Sequence, residues 1–480
     1  EKKIEMKFGH EAEVIISLYK IYGNKCINLL KGFFAFVIID LTNENIFSAV
    51  DRFSIKPLYY VNDPKKNLSI FTSDYSVLIK NNLIKSDLNV SKIIDYLSLA
   101  RDFNNSTIYS KIKKLPASTY LEIKKNITIS KKYWYPFKNK VYLNQKLAFD
   151  ELSKKIQDTI DLWKISETPI SLCASLGVDS QILNNFFKEN DTDVNLFHIP
   201  EGKNIFFNYH KARKISLNQN KIIKLLNKFT KKTYNPFPLA HSSSTSLFQL
   251  YDHIKENKFK VTFNGEGSDE LFGGYSRYSK QLKFMKQKKK FSDMLISTYK
   301  NEIDNIKKYF YKEYSYDLSK QISKRIDSIN LKSKNIENKI LEFDQITFIP
   351  VMIQRHDSIG MFNSLEVRPP FLEHDLVDTI NSMPTNLKFK FNESKIILKR
   401  ILLEKFNYKP PKTKLSTPNI FNKILENKQE INNFKESIFY GKLGSFLNSN
   451  QIIKQISNVQ KKNEIFLWRI YILSKILYKY

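Results

Sequence analysis

Two patterns of apolar and polar positions follow one another along the chain. In the first third, an apolar run extends from Phe33 to Ile39, a polar turn occupies residues 42–45, and a second run leads into Val50. Apolar runs of this length, bounded by turn residues, are typical of strands. The pattern therefore predicts an ordinary antiparallel core in this part of the chain.

From Gln145 onward the pattern changes to alternating helices and short strands. Predicted strands end at Ala174 and cover residues 194–199 and 259–263. Strands that alternate with helices predict a parallel sheet covered on both faces, with a ligand at the carboxyl ends of the strands. We expect the Lys-rich residues 285–338 to form a helical surface insertion. The apolar stretch 465–477 contains Arg469 and Lys475, which predicts an amphipathic helix rather than a membrane span.

A phosphate-binding turn is predicted at residues 174–180, Ala-Ser-Leu-Gly-Val-Asp-Ser. A strand, a tight turn of small residues and a helix N-terminus together direct backbone N–H groups at an anion. Asp179 is placed to hold a cation against that anion, and Ser175 and Ser180 can donate hydrogen bonds to it. Taken alone, the segment leaves open a plain strand-to-helix turn, because short motifs recur by chance.

A second segment, residues 261–278, combines four glycines with three carboxylates in one loop. Glycines let the backbone approach a ligand closely. Carboxylates packed this closely repel one another unless a cation or a titrating role holds them. The segment therefore predicts a ligand-binding loop rather than a purely structural one.

These segments resemble the SGGxDS pyrophosphate loop and the SGEGADELFGGY signature of the asparagine synthetase (glutamine-hydrolysing) family. Residues 357–374 are similar to the family's DRxSMAHSLEVRVPFLDH block, and residues 395–399 to the KxxLR helix that carries its catalytic lysine. Residues 32–36 and 51–60 resemble the GMFAFAxWD and DRFGIKPLYY blocks of its glutaminase domain. All the blocks occur in the family's order and cover nearly the whole chain.

The resemblance implies an α/β protein of two domains. Residues 1–135 would be the remnant of an N-terminal-nucleophile glutaminase αββα domain. After a polar linker, residues 145–480 would be a parallel-sheet synthetase domain of the ATP-pyrophosphatase (adenine nucleotide α-hydrolase-like) type. The family's nucleophile is an N-terminal cysteine, whereas this chain begins with Glu1 and its two cysteines lie at 26 and 173. We therefore expect an N-terminally truncated chain without the nucleophile, in which Glu11 stands at a glutamine-binding position.

The resemblance also implies a reaction and its cofactors, ATP and Mg²⁺. Aspartate would become β-aspartyl-AMP with release of pyrophosphate, and ammonia, from glutamine in the full-length enzyme, would displace AMP. Asp179 and Asp269 would hold Mg²⁺, Lys395 would stabilise the adenylation transition state, and Glu266 would be an acid/base or ammonia-orienting group. The expected ATP-binding residues are Ala174, Ser175, Gly177, Asp179, Ser180, Ile199 (beside the adenine), Asn264 and Gly265.

Composition narrows the class of partner. The formal net charge is +30, which would normally suggest nucleic acid or an anionic membrane. The charge is mostly scattered lysine, however, without the arginines and clustered aromatics of specific nucleic-acid readers. We therefore expect small-molecule partners, neither nucleic acid nor a membrane, and the possibility of a homodimer. Two unevenly spaced cysteines indicate a reducing compartment and a cytoplasmic protein.

Five departures from the family pattern leave the acceptor open. Leu176 stands where the family has Gly, which predicts a narrowed phosphate cradle or a strained backbone. The others are Asn264 for Ser, Tyr234-Asn235 for acidic residues, Lys414-Leu415 for Gly-Phe, and Ser54 for Gly. A related ligase acting on another carboxylate, such as a β-lactam-synthetase-like enzyme or one that modifies surface polysaccharides or peptides, remains the alternative, and so does an impaired enzyme.

Overall fold

A computed structural model of the chain describes residues 9–124, 127–137, 145–190, 192–200, 212–285, 290–410, 420–456, 459 and 463–478. Most of the predicted linker, residues 286–289 of the Lys-rich region and Lys414-Leu415 lie outside these residues. Among the described residues we find no helix whose length and apolar character would let it span a lipid bilayer.

The first part of the chain, residues 9–137 as far as the structure describes them, contains two antiparallel sheets. One has the strand order β1-β2-β6-β7 and the other β4-β3-β5. The strands are β1 Ala35–Asp40, β2 Asn45–Val50, β3 Tyr59–Asp63, β4 Leu68–Thr72, β5 Lys113–Lys114, β6 Thr119–Lys124 and β7 Ile127–Lys132; the helices are α1 Glu11–Tyr22, α2 Ser76–Lys80 and α3 Val90–Ser98. The antiparallel strands predicted at residues 33–39 and up to Val50 are confirmed as β1 and β2.

The second part contains one parallel sheet of five strands among the described residues, in the order β10-β9-β8-β11-β12. These strands are β8 Ile170–Cys173, β9 Asn195–His198, β10 Arg213–Lys214, β11 Val261–Phe263 and β12 Glu366–Arg368. The predicted α/β class is therefore confirmed. Register pairs Leu172 with both Leu196 and Phe263. The segments that follow β8, β9 and β11 consequently emerge at the same edge of the sheet.

Helices surround this sheet. They are α4 Gln145–Trp163, α5 Val178–Glu189, α6 Gln219–Thr230, α7 Ser244–Glu256, α8 Ser268–Phe272, α9 Ser276–Met285, α10 Phe291–Thr298, α11 Lys300–Tyr309, α12 Lys312–Ser315, α13 Leu318–Asp327, α14 Ile336–Thr347, α15 Ile349–Phe362, α16 His374–Ser382, α17 Thr385–Lys388, α18 Ile396–Glu404, α19 Phe421–Ile424, α20 Lys428–Tyr440, α21 Ser449–Ile456 and α22 Glu464–Leu477. Additional short 3-10 segments connect some of them.

The Lys-rich region 285–338 is helical as predicted, but the prediction of a surface insertion is wrong. Leu295, Ile306 and Ile322 are fully or almost fully buried in the largest apolar core. The Arg325 guanidinium also pairs with the Asp95 carboxylate at 2.7 Å. The lysines lie on the outer faces of helices whose inner faces are apolar, so a Lys-rich composition hid an ordinary amphipathic pattern.

Helix α22 lies deeper than predicted. Its buried side chains run almost without interruption from Phe466 to Leu477, so it is enclosed on all sides rather than amphipathic. Arg469 is also buried, and its guanidinium donates to the carbonyl oxygens of Leu97, Ser98 and Ala240. These bonds satisfy a cation that the sequence alone suggested was solvated.

The apolar core is continuous between the two parts of the chain. Tyr59 and Val61 of β3 belong to the same cluster of buried residues as Phe197 of β9 and Tyr251 of α7. The predicted boundary between residues 135 and 145 stays a prediction, but the sheets on either side of it pack against a common core.

Ser54 shows why a glycine suits its position. Its φ is +54°, in the left-handed region, and the side chain is 1% exposed. The hydroxyl oxygen has no hydrogen-bond partner among the described residues. Left-handed conformation costs a non-glycine residue about 1–2 kcal/mol, and a buried unpaired hydroxyl adds to this cost.

We expect Ser54→Gly to increase the free energy of unfolding by roughly 1 kcal/mol, because relief of strain exceeds the ~0.5–1 kcal/mol entropic cost of glycine. Urea unfolding of the wild type and the variant measures this change in the free energy of unfolding. Ser118→Gly is the matched control: Ser118 has the same φ of +54°, but its hydroxyl donates to the Trp134 carbonyl at 2.9 Å. An equal gain in both variants, or none in Ser54→Gly, would contradict this account.

Lys388 is a fully buried lysine at the end of α17; its ammonium lies 3.4 Å from the Asn338 side-chain oxygen and 6.0 Å from the centroid of the Phe137 ring. Burial lowers the pKa of Lys388 to about 7. Since the unfolded chain binds the proton up to its ordinary pKa of 10.5, this residue's cost to stability is greatest below pH 7 and fades as the pH rises to 10.5.

We expect Lys388→Met to raise the free energy of unfolding at pH 7 by on the order of 3 kcal/mol. The gain should shrink by about half by pH 9, because the free energy needed to deprotonate Lys388 on folding falls as the pH approaches its ordinary pKa of 10.5. Denaturant unfolding at the two pH values measures this difference. Exposed Lys390 supplies the control variant, Lys390→Met, with an expected change within about 0.5 kcal/mol. A pH-independent gain would contradict the buried-charge explanation.

Candidate active site

A cleft of about 220 Å³ opens at the carboxyl ends of β8, β9 and β11. This is the position expected for a ligand in a parallel α/β sheet. Its lining brings together most of the residues predicted from the sequence. They are Ala174, Ser175, Asp179, Ser180, Ile199, Asn264, Gly265, Glu266 and Asp269.

The loop after β8 forms a compact turn that leads into α5. Gly177 is the N-cap of this helix, and its backbone N–H donates a hydrogen bond to the Ser175 hydroxyl oxygen at 3.1 Å. The Ser180 hydroxyl accepts the Ser175 N–H at 3.0 Å and also lies 2.8 Å from the Ser175 hydroxyl. Both serines thus hold the turn itself, a role that the sequence did not reveal. The helix N-terminus remains directed at the cleft, with the positive end of its dipole there.

The expectation about Leu176 is wrong in both forms. Its φ is not positive, so its backbone carries no left-handed strain. Its side chain is not among those that line the cleft, so it does not narrow the cavity. The half-buried leucine therefore fits this turn, and strain relief gives no reason for Leu176→Gly to improve ligand binding.

The ammonium of Lys395 joins two carboxylates from different strand ends. Its Nζ atom lies 2.6 Å from both Asp179 carboxylate oxygens and 2.5 Å from Asp269 Oδ1. The Ser268 hydroxyl also donates to Asp179 at 2.6 Å. Although burial opposes it, the two carboxylates raise the pKa of Lys395 above its usual range. Lys395 is therefore a permanent cation, and it lies immediately before α18 rather than on a helix as the motif predicted.

Glycines create the space for this cluster. A Cβ atom on Gly274 would overlap Asp269 Oδ1 and the Lys395 Cε atom. A Cβ atom on Gly265 would lie 2.6 Å from the Asp179 Cβ, which is closer than Cβ atoms approach in proteins. Gly265 and Gly274 thus leave the space in which these side chains pack, whereas the predicted close approach of the backbone to a ligand stays a prediction.

Glu266 is held by two basic side chains of α15. Its Oε1 atom lies 3.0 Å from Arg355 Nη2 and 2.8 Å from His356 Nε2. Although burial opposes it, His356 and Arg355 lower the pKa of Glu266 to about 2. A carboxylate with so low a pKa is a weak base, so the geometry favours the orienting role of Glu266 over proton transfer.

Several side chains of the cleft escaped sequence reasoning. His356 Nδ1 lies 2.5 Å from the Tyr251 hydroxyl and 3.1 Å from the Asn264 amide nitrogen. Glu270 also lines the cleft, and burial, followed by the charges of Asp269 and Glu266, raises its pKa to about 7. Glu270 could have been found from the sequence, because it is the third carboxylate of the glycine-rich loop. No motif marked Tyr251 or His356, because the two residues lie 105 positions apart and meet only where α7 packs against α15.

Glu11 is not part of this cleft. It is the first residue of α1 and is exposed. Its predicted contact with glutamine stays a prediction, and the structure does not bring it together with the residues around Asp179.

The described residues combine antiparallel sheets in the first part with a parallel α/β sheet and a cleft at its carboxyl edge in the second, as expected for the family that the sequence resembles. Comparison with family models agrees: residues 1–134 match the glutamine amidotransferase domain, and residues 208–412 match asparagine synthase. The chain is a member of the asparagine synthetase family, which uses ATP.

Curated relatives are similar at low identity. Asparagine synthetase [glutamine-hydrolyzing] 1 of Bacillus subtilis is 24% identical over 81% of this chain and 68% of its own length. Putative asparagine synthetase [glutamine-hydrolyzing] 2 of Methanocaldococcus jannaschii is 26% identical over 57% of this chain and 55% of its own length. A protein named amidase chry2 from Gibberella zeae is 24% identical over 81% of this chain and 69% of its own length. The chain is therefore an ATP-dependent amidotransferase or ligase by family.

We expect Gly274→Ala to weaken ATP binding at least tenfold, about 1.4 kcal/mol, because the new methyl group must displace Asp269 or Lys395. Calorimetric titration with ATP and Mg²⁺ measures the affinity. Gly444→Ala is the control, since a Cβ atom there would meet its nearest neighbour at an ordinary 3.4 Å. Unchanged affinity in Gly274→Ala would show that the nucleotide does not depend on this cluster.

Proposed function

We propose that the protein catalyses the ATP-dependent amidation of aspartate to asparagine through a β-aspartyl-AMP intermediate, with ammonia that derives from glutamine in the full-length enzyme. The observation that carries the proposal is the convergence of Asp179, Asp269 and Lys395 beside the phosphate-type turn. Family membership and the similarity to enzymes named asparagine synthetase support the same reaction.

The cleft offers a place for each part of the nucleotide. Phe197 and Ile199 provide apolar surface for the adenine at the end of β9, with Leu247 and Leu250 on the facing helix α7. The phosphates lie at the N-terminus of α5, where the helix dipole favours an anion. The backbone at Asn264 and Gly265 meets the nucleotide from the adjacent strand end.

Two carboxylates around one cation fit Mg²⁺. Asp179 and Asp269 already share a single ammonium, so their oxygens can converge on one positive centre. Mg²⁺ suits a site with few carboxylates because phosphate oxygens and water complete its coordination. When bound, it neutralises charge on the pyrophosphate leaving group. With Asp179 and Asp269 holding the cation, the Lys395 ammonium would be released from them and would stabilise the charge that develops on the α-phosphate.

Glu266 acts after adenylation. The Arg355 guanidinium keeps the carboxylate ionised, while burial lowers the pKa of His356, which with Arg355 fixes the direction of Glu266 toward the cleft. The carboxylate can then accept hydrogen bonds from ammonia and align it for attack on the acyl-adenylate. This use of Glu266 relies on position and charge rather than on a matched pKa.

A related ligase acting on another carboxylate is the second candidate. The observation that favours it is the 24% identity to a protein named as an amidase, which equals the identity to the first asparagine synthetase. Such an enzyme would use the same nucleotide and cation residues but a different acceptor, because the adenylation chemistry does not depend on the remainder of the acceptor.

The test is ATP–pyrophosphate exchange with aspartate and with a panel of other carboxylates. We expect aspartate-dependent exchange in the wild-type protein and a loss of at least a hundredfold in Asp179→Asn and Asp269→Asn, because neither carboxylate can hold the cation alone. Lys395→Met should lose exchange comparably, whereas Lys399→Met, one turn further along α18, should retain it.

Circular dichroism melts of the same variants show whether the fold is kept. Exchange close to the wild-type rate in either aspartate variant would refute the cation assignment. Exchange that requires a carboxylate other than aspartate would replace asparagine synthesis by the second candidate.

A further inference from the structure

One turn of α15, residues 354–357, contacts both the first part of the chain and the candidate active site. Gln354 and Asp357 reach side chains of the first part, while Arg355 and His356 reach Glu266. Residues three apart on a helix lie on the same face. Gln354 and Asp357 therefore share one face of α15, and the two residues between them point elsewhere.

The contact on the side of the first part is built by a structured loop. The buried Asp51 carboxylate accepts the backbone N–H groups of Phe53, Ile55 and Lys56, each at 3.0 Å. This loop presents the Lys56 ammonium to the Asp357 carboxylate at 2.6 Å. The loop thus fixes the backbone position from which the Lys56 side chain extends, and that side chain is only 30% exposed.

A second contact adjoins this ion pair. The Tyr59 hydroxyl accepts a hydrogen bond from the Gln354 side-chain amide and another from Asn235, at 3.2 Å. All three side chains are buried. Because buried polar groups are costly to leave unpaired, these bonds restrict where α15 can sit relative to β3.

The opposite contacts position Glu266. Arg355 and His356 have side chains 10% and 6% exposed, and both direct nitrogen atoms at the same carboxylate oxygen. His356 is itself fixed by Tyr251 and Asn264, so the pair has little freedom to follow Glu266 if the helix shifts.

We propose that residues 354–357 of α15 are a positioning element that couples the first part of the chain to Glu266. Lys56 and Tyr59 fix the position of this turn of α15. Arg355 and His356, which lie on the turn, thereby determine where the Glu266 carboxylate is held. Lys56 and Asp357 touch no residue of the cation cluster in the described structure, so they act on the aminolysis step through Glu266. This inference rests on the proposed function for its catalytic consequence, but the mechanical coupling does not.

A control is available at the same junction. Lys31 pairs with Asp375 at 2.8 Å, but Asp375 lies on α16 rather than α15, and both side chains are about half exposed. Removal of this ion pair disturbs the junction without touching residues 354–357.

Hydrogen–deuterium exchange of the full chain tests the coupling without any assay of activity. In Lys56→Met we expect the amides of residues 354–358 and of residues 264–267 to exchange at least fivefold faster than in the wild type. Lys31→Met should leave both segments unchanged, and the reversed pair Lys56→Asp with Asp357→Lys should restore their protection. Unchanged exchange in Lys56→Met, or equal changes in Lys31→Met, would overturn the proposal.

Kinetics test the consequence for catalysis. In Lys56→Met and Asp357→Asn we expect ATP–pyrophosphate exchange within twofold of the wild type, while the KM for ammonia in amide formation rises about tenfold. Arg355→Met should raise that KM further, and Arg355→Lys should recover part of the loss. Equal losses in both steps would indicate general disruption and contradict a positioning role.

The two arms separate this inference from the proposed function. A wild-type protein without carboxylate-dependent exchange would refute the proposed function, and deuterium exchange would still decide the coupling. A wild-type protein that performs the exchange reaction, with Lys56→Met unaltered in deuterium exchange, would overturn the coupling alone.

Discussion

Electrostatic repulsion among the carboxylates at the sheet edge is the constraint on which the candidate site depends. Asp179, Glu266 and Asp269 converge in one cleft with side chains only 18–23% exposed, and like charges so placed destabilise one another. The protein answers with two sets of basic groups. Lys395 joins the two aspartates, and Arg355 with His356 holds Glu266. This division separates a pair of carboxylates suited to a metal ion from a single carboxylate suited to orienting a nucleophile.

The backbone had to adapt before these charges could meet. Gly265 lets the second loop pass against Asp179, and Gly274 leaves room for Asp269 and the stem of Lys395. Lys395 itself has a φ of +54°, which costs a lysine strain energy. The ion pairs of its ammonium with Asp179 and Asp269 offset part of this cost.

Sequence patterns predicted the parts of the fold that local chemistry determines. The alternation of short apolar runs with helices gave the parallel sheet, and two loops rich in small and acidic residues gave the cleft, because both signals are contained within a few residues. Leu176 shows a limit: the family pattern suggested strain, but the turn of this chain takes an ordinary φ there. His356 and Tyr251 show another, since their pairing depends on how α15 packs against α7. Lysine-rich helices such as α13 were misjudged because their exposed lysines hid the regular spacing of the buried apolar residues Leu318, Ile322 and Ile326.

Residues 51–60 do more than resemble a family block, because Lys56 and Tyr59 connect the first part of the chain to α15. Its first residue, Asp51, is fully buried, and burial raises its pKa to about 6 despite four backbone N–H donors. Burying a carboxylate to shape a loop is costly, and the loop it shapes places Lys56 against Asp357 and leads into Tyr59, which contacts Gln354. The first part of the chain thus contributes rigid contacts to the helix that holds Glu266. In the proposed reaction a first part that delivered ammonia would gain from such contacts, because Glu266 would be placed correctly to receive it only when the two parts are docked.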